Sequence, residues 1–438
     1  MTKRKDKANQ LIVVGIGASA GGLAEIKKFI FSLPEKTGMA FIVVQHLDPN
    51  HESLLSEILE KKSKLPVKSA KDQEKLQPDH VYVIPPDAYL EIQDGAIKLT
   101  KPEENRGSRK SIDRFFRSLA KEYADKCAGI ILSGSGSDGT SGLREIKAVG
   151  GLVLAQEPDT ATHGSMPQSA IDADVVDKVC KVEEMTDLLL NFASHPLKQK
   201  ALLANDTNQH AKDSLEEIGA ILKAHEKFDI DQYKPGTIQR RIARRMSLTN
   251  TLEYSEYLDK LRKDKEERST LTRDLLINVT DFFRDPEAYH ELETKVIPEI
   301  LDNLGKRDDI RLWVAGCASG EEAYSLAILF LEALKKARKK NEIKIFATDI
   351  DEHAITKARK GIYSESIVID VPRKFLDEYF LKIGTDHKYK IRREVRDLIS
   401  FAVQNLVTDP PFNHMHLISC RNLLIYLNKE AQEKTLGS

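Results

Sequence analysis

At 438 residues the chain is longer than one ordinary core supports, so two or three domains are expected. Its composition, 41% hydrophobic and 31% charged, is that of globular proteins, and a formal net charge of −1 excludes a global basic field for nucleic acid or anionic membrane. Cys127, Cys180, Cys317 and Cys420 form no Cys-x-x-Cys pair. That spacing argues against a zinc site or disulfide framework and fits a reducing cytosol.

Residues 1–10 read as a charged tail. The basic start followed by LIVVGIGASA loosely mimics a secretory signal, but the apolar run is short, β-branched and continues into a Gly-rich turn and a helix pattern. No run is long enough to span a membrane, so no membrane insertion is expected. From residue 11 to 194 strand and helix signals alternate. Strands are predicted at Leu11–Ile16, Ala40–Val44, His80–Ile84 and Gly129–Leu132, with helices at Leu23–Leu33, Ile112–Tyr123 and Ser141–Val149. Near-continuous apolar strands between helices indicate a mostly parallel sheet covered on both faces. Residues 195–213, polar and without clean periodicity, read as a linker. A charged helical stretch follows over 214–285. Over 286–438 strand signals resume at Arg311–Ala315, Lys344–Thr348, Asp397–Val403 and His416–Ser419. The fold class expected is α/β, with a parallel-sheet domain, a small all-α domain and a second, Rossmann-like α/β domain.

Gly17-Ala18-Ser19-Ala20-Gly21 fits Gly-x-Ser-x-Gly between a strand and a helix, the setting that exposes a nucleophilic hydroxyl near helix N–H groups able to hold an oxyanion. The same residues satisfy the Gly-x-Gly-x-x-Ala dinucleotide fingerprint. That reading wants an acidic residue after the second strand, where this chain has Gln45-His46. A histidine there suits a general base instead. A third strand ends in SGSGSDG, which carries Asp138. Ser19, His46 and Asp138 each follow a strand's C-terminal end, and in a parallel sheet those ends share one rim. Singly, each has a plainer reading: a capping serine, a satisfied loop histidine, an aspartate capping the helix after Gly139. Together those readings need three coincidences.

On these residues the first half resembles the catalytic domain of chemotaxis receptor protein-glutamate methylesterases. The matching segments are GIGASAGGL, VVQHLDP, VYVIPPD, SIDRFFRSLA, ILSGSGSDGTSGL and AQEPDTATHGSMPQSAI. The resemblance implies Ser19 as nucleophile, His46 as base and Asp138 as its orienting group, acting on glutamate methyl esters of receptor helices, with glutamine deamidation as a second reaction and no cofactor. Ala20 stands where that family often has threonine, and Ser135 where it often has methionine, so backbone donors are expected to suffice for the oxyanion. No receiver domain is expected in the short tail, and hence no control by aspartyl phosphate within this chain.

In the second half Arg311–Ala315 runs into Gly316-Cys317-Ala318-Ser319-Gly320-Glu321-Glu322 and a helix over Ala323–Leu334. Strand, glycine turn and helix start allow close backbone approach to a polar ligand. The next strand ends in Asp349, where a ribose hydroxyl pair would be gripped. The plainer reading makes Glu322 and Asp349 solvated loop carboxylates. Upstream, Arg240, Arg241, Arg244 and Arg245 share one face of a predicted helix. Such a run is usually a solvated face. It has no aromatic platform for nucleic acid, and an acidic protein helix is the better partner.

Residues from about 214 to 438 resemble the chemotaxis receptor glutamate methyltransferases, through TIQRRIARRM, NVTDFFRD, VAGCASGEEAYSLAI, ATDIDEHAITKARKGIY, VQNL and ISCRNLLIYL. The resemblance implies S-adenosylmethionine as cofactor, contacted by Asn278, Thr280, Arg284, Glu322, Asp349, Asn405, Leu406, Arg421 and Asn422. Arg284 and Tyr426 would face the methyl group and incoming carboxylate, and the four arginines would meet methyl-accepting cytoplasmic helices of a receptor. That family's sheet continues beyond the last strand seen here, so an incomplete second enzyme is expected, either a fragment or disabled. The whole reads as a cytoplasmic fusion of two opposed activities.

Overall fold

The computed structural model describes residues 11–45, 55–102, 110–204, 208–251, 253–276, 279–305, 308–384 and 388–437, with side chains left aside over 195–212. Packing divides the chain into two compact units: residues 1–218 with 240–265, and 219–239 with 266–438.

Among the described residues the first unit is built on a seven-stranded sheet whose neighbouring strands are all parallel. Its strands are β1 (Ile12–Ala18), β2 (Met39–Gln45), β3 (Val67–Ser69), β4 (His80–Val83), β7 (Cys127–Ile131), β8 (Leu152–Gln156) and β9 (Lys178–Cys180). A separate hairpin pairs β5 (Tyr89–Gln93) with β6 (Ala96–Thr100). The order β3-β4-β2-β1-β7-β8-β9 sends the chain from β1 to one side and brings it back on the other. The β1/β7 boundary is therefore the topological switch point, where the loops diverge and leave a crevice at the strand C-termini.

Alternation along β1 sorts its residues between two cores. Val14 and Ile16 join one apolar cluster, and Val13 joins the cluster on the other face. On that second face Gly15 and Gly17 have no side chain because the helix Ser111–Tyr123 lies against them. A Cβ on Gly15 would stand 2.6 Å from a ring carbon of Phe115, and one on Gly17 2.5 Å from Ile112. The two glycines of the apparent dinucleotide fingerprint thus serve helix-on-strand packing.

The stretch expected as a linker is helical on both sides of residues 205–207, in Val182–Ala204 and Asn208–Glu226. Lys, Gln, Ala and Leu sustain a helix without an amphipathic period, and the period was the signal being read.

The second unit holds a four-stranded parallel sheet in the order β15-β11-β10-β16, formed by β10 (Ile310–Ala315), β11 (Ile343–Asp349), β15 (Ile399–Val403) and β16 (Leu417–Ser419). A small antiparallel sheet of β12 (Ile362–Tyr363), β14 (Lys388–Ile391) and β13 (Phe380–Ile383) was not expected. The helix Glu321–Ala337 is nearly engulfed and contributes Ala323, Leu326, Ala327 and Phe330 to the core. Trp313, the only tryptophan of the sequence, lies buried in β10. Its indole N–H donates to Thr348 Oγ1 at 3.0 Å, and its ring meets Phe412 edge-on at 5.4 Å.

Candidate active sites

β1 ends at Ala18, and the chain turns through Ser19 and Ala20 into the helix Gly22–Ser32, entered through Gly21 at φ 72°. The backbone N–H of Ser19 donates to Ser133 O across the switch point at 3.0 Å, and Gly22 N–H donates to Ser19 O at 3.0 Å. Ser133 stitches three loops together. Its hydroxyl donates to Ala20 O (2.9 Å) and accepts His163 N–H (3.0 Å), while its own N–H donates to Gln156 Oε1 (3.0 Å). Gly134 lies between the serine and Met166. A Cβ there would be 3.0 Å from Ser19 Cβ and 2.4 Å from Met166 Cε. The serine turn is thus held rigidly at the strand rim, as a nucleophile on a scaffold must be.

Asp138 is buried on the loop after β7. Its Oδ2 accepts Ile112 N–H and its Oδ1 accepts Asp113 N–H, each at 3.0 Å, so it caps the helix Ser111–Tyr123. Each of its carboxylate oxygens can accept a second bond. Beside it Asp113 is fully buried. Oδ1 accepts Gly142 N–H at 2.8 Å, and Oδ2 has no hydrogen-bond partner among the described residues. Burial, then the neighbouring Asp138 charge, pushes the Asp113 carboxyl well above its usual range. Of the two acids, Asp113 keeps the proton. His46 lies outside the described residues; β2, the neighbour of β1 on the side away from β7, is described to Gln45, which pairs with Ala18.

In the second unit Thr280, Arg284, Glu322, Asp349, Arg421, Asn422 and Tyr426 line one cleft. Asp349 closes the turn after β10: its Oδ2 accepts Ala318 N–H at 2.8 Å and its Oδ1 accepts Asp351 N–H at 2.9 Å. Burial, opposed by these amides, raises its carboxyl to about 6. Burial also lifts Glu322, while a hydrogen bond from Ser419 and the guanidiniums of Arg421 and Arg284 pull it down. Arg421 is itself fixed by Arg284 O (2.7 Å) and Asp285 (2.6 Å) and stacks on Tyr289 at 5.3 Å. Neither carboxylate is a solvated loop group: Asp349 is 8% exposed.

Asn405 and Leu406 are not among the residues lining the cleft, and Asn405 Oδ1 instead accepts Val407 N–H in its own turn at 2.9 Å. Asn278 lies outside the described residues. Tyr233, Val279 and Ile350 line the cleft without having been singled out from sequence. Tyr233 sits in the segment that pairs with the residues after Tyr426, through Lys234 N–H to Tyr426 O at 2.9 Å, a long-range link with no local signature.

The four arginines do not form a solvated face. On the helix Pro235–Leu248 Arg241, Arg244 and Arg245 are buried at 5%, 4% and 8% exposure, and of the four only the Arg240 side chain is largely exposed. Among the described residues no group of acids, histidines and cysteines could hold a metal ion, and no helix is long and apolar enough to cross a membrane.

A tight turn at the switch point of one parallel sheet has the build of an ester hydrolase domain, and an acid-lined cleft at the C-terminal rim of the other has that of an S-adenosylmethionine-dependent methyltransferase domain. The chain belongs to the CheB methylesterase and CheR methyltransferase families. Residues 14–189 match CheB methylesterase, 213–276 the all-alpha domain of CheR methyltransferase and 278–438 its SAM binding domain. A putative protein-glutamate methylesterase/protein-glutamine glutaminase of Leptospira interrogans is 37% identical over 42% of this chain and 96% of its own length. Putative methyltransferase Cher3 of Pseudomonas putida is 32% identical over 48% of this chain and 76% of its own. An uncharacterized 104.1 kDa protein of Rhodobacter capsulatus is 36% identical over 87% of this chain, which spans 42% of that protein.

Proposed function

We propose that the chain edits methyl esters on receptor glutamates in both directions, hydrolysing them at Ser19 and forming them at the Asp349 cleft. In the first site His46 takes the Ser19 hydroxyl proton as Oγ attacks the ester carbonyl, and Asp138 steadies the imidazolium. Methoxide leaves with that proton as methanol. Water, deprotonated by His46, then cleaves the acyl-enzyme to return glutamate and the serine. The same steps on glutamine release ammonia. Backbone N–H groups at the start of Gly22–Ser32 suit the oxyanion. The observation that carries this reading is the switch point: Ser19 and Asp138 follow adjacent strands, and His46 follows the strand on the other side of β1.

In the second site the residues fit S-adenosylmethionine. A buried and a partly buried carboxylate with raised affinity for protons line the cleft, and Asp349 stands at the end of the second strand, suited to a ribose hydroxyl pair. The cofactor supplies an electrophilic methyl group. Asp349 and Glu322 accept hydrogen bonds from its polar groups, Thr280, Arg421 and Asn422 orient it, and Arg284 with Tyr426 aligns the incoming carboxylate, where positioning does most of the catalytic work. The acceptor is a methyl-accepting receptor helix.

Receptor cytoplasmic fragments carrying radiolabelled glutamate methyl esters test the first half. Methanol release by the wild type that vanishes in Ser19→Ala supports it, whereas equal, negligible release from both would leave a receptor-binding scaffold without turnover. For the second half, calorimetric titration with S-adenosylhomocysteine should show one site, and no binding would sink the cofactor assignment.

A further inference from the structure

The residues that meet the arginine segment share one property: they precede strands. Asp125 lies just before β7, Ala148 ends the helix before β8, and Asp177 immediately precedes β9. All therefore sit on the N-terminal edge of the first sheet, the edge opposite the Ser19 rim. Arg244 and Asp177 form an ion pair with side chains 2% and 1% exposed, and Asp177 also accepts Val153 N–H at 2.8 Å and lies 3.7 Å from Lys147. Arg241 donates to Ala148 O at 3.1 Å, and Arg240 Nε lies 3.9 Å from Asp125. Leu248 packs against the sheet's own apolar cluster. The segment Arg240–Lys265 belongs to the same compact unit as this sheet.

We propose that the arginine face of Pro235–Leu248 is a docking surface for the N-terminal edge of the esterase sheet, latched by Arg244 on Asp177, and that an acidic helix can use those arginines only after the esterase has released them. The competing helix is the receptor of the reading above, on which this part rests; the latch itself does not depend on it. The Arg244 side chain is enclosed at the sheet edge with no open face for a second carboxylate, so a receptor glutamate would have to replace Asp177. The two faces of the esterase are then separately employed, one edge for chemistry and the other to cover the arginines.

Hydrogen exchange of the full chain tests the latch. In Arg244→Ala the amides of Arg240–Leu248 should lose at least tenfold protection while those of β1 and β7 keep theirs. Asp177→Asn, which retains an oxygen for Val153 N–H, should do the same, and the exchange Asp177→Arg with Arg244→Asp should restore protection. Unchanged protection in both single variants would overturn the proposal. A synthetic helical peptide with glutamates along one face should bind Asp177→Asn at least tenfold tighter than the wild type. Equal, measurable binding to both would overturn the exclusion. Binding to neither, with the segment released, would uphold the latch and count against the receptor reading alone. Methanol release should persist in Asp177→Asn, because its chemistry lies at the other rim.

Discussion

Replacing Asp113 by Asn should stabilise the esterase unit, and by an amount that grows with pH. The fold holds the Asp113 carboxyl well above its ordinary value of 3.8 because it is buried beside Asp138. A raised value means the folded state binds a proton that the unfolded chain has given up. The stability this proton supports is whole below pH 3.8 and is lost as pH climbs toward the folded value. The loss is about 1.4 kcal/mol per pH unit in that window. Asparagine mimics the protonated acid: its oxygen can still accept Gly142 N–H, and its amide takes the place of an O–H that likewise finds no partner. The amide brings one donor more than the O–H, a cost that does not vary with pH, and the pH-dependent part remains. Hydrogen exchange of the β1 and β7 amides, compared between variant and wild type at two pH values above 3.8, should show the ratio of protection rising with pH. A ratio that stays flat, or that falls as pH rises, would refute the assignment of the proton to Asp113.

Asp349 gives a pH effect of opposite sense on ligand binding, since only its ionised form accepts two hydroxyls. With its carboxyl raised to about 6, affinity for S-adenosylhomocysteine should hold above that pH and fall about tenfold by about pH 5; constant affinity in calorimetry would remove Asp349 from the site. Gly134→Ala should cost about 1–3 kcal/mol, because the new methyl meets Met166 and presses on Ser19. Methanol release should drop at least tenfold with only a modest fall in melting temperature, and normal turnover would show that the serine turn tolerates displacement.

Much of both sheets was legible because buried parallel strands are short apolar runs: LIVVGI, AFIVV and RLWVA announce β1, β2 and β10 without context. The serine turn and Asp349 were legible for the same reason, since each directly follows such a run. The β12–β14–β13 sheet was not, as KYKI and FLKI carry lysines that break the apolar run and β12 is only two residues long. Nor could the arginine run declare its burial. The spacing of Arg240 and Arg244 describes a helix face, and whether it meets water or protein was decided by Asp177, far away in sequence. Met166 and Ser133 escaped notice because their part in the first site comes from backbone crossings between loops. Asp138 showed its position but not its second duty, since the helix it caps begins upstream of it.

Trp313 has a practical consequence for anyone following this molecule in solution. As the only indole, it makes intrinsic emission a reporter of the methyltransferase sheet alone, and melting of the esterase sheet would pass unseen by that signal. Its N–H is tied to Thr348, whose carbonyl accepts the N–H groups of Gly316 and Cys317 at the mouth of the cofactor cleft. Emission should therefore shift when that cleft fills, so the second sheet of this polypeptide can be watched by an optical signal to which the first contributes nothing.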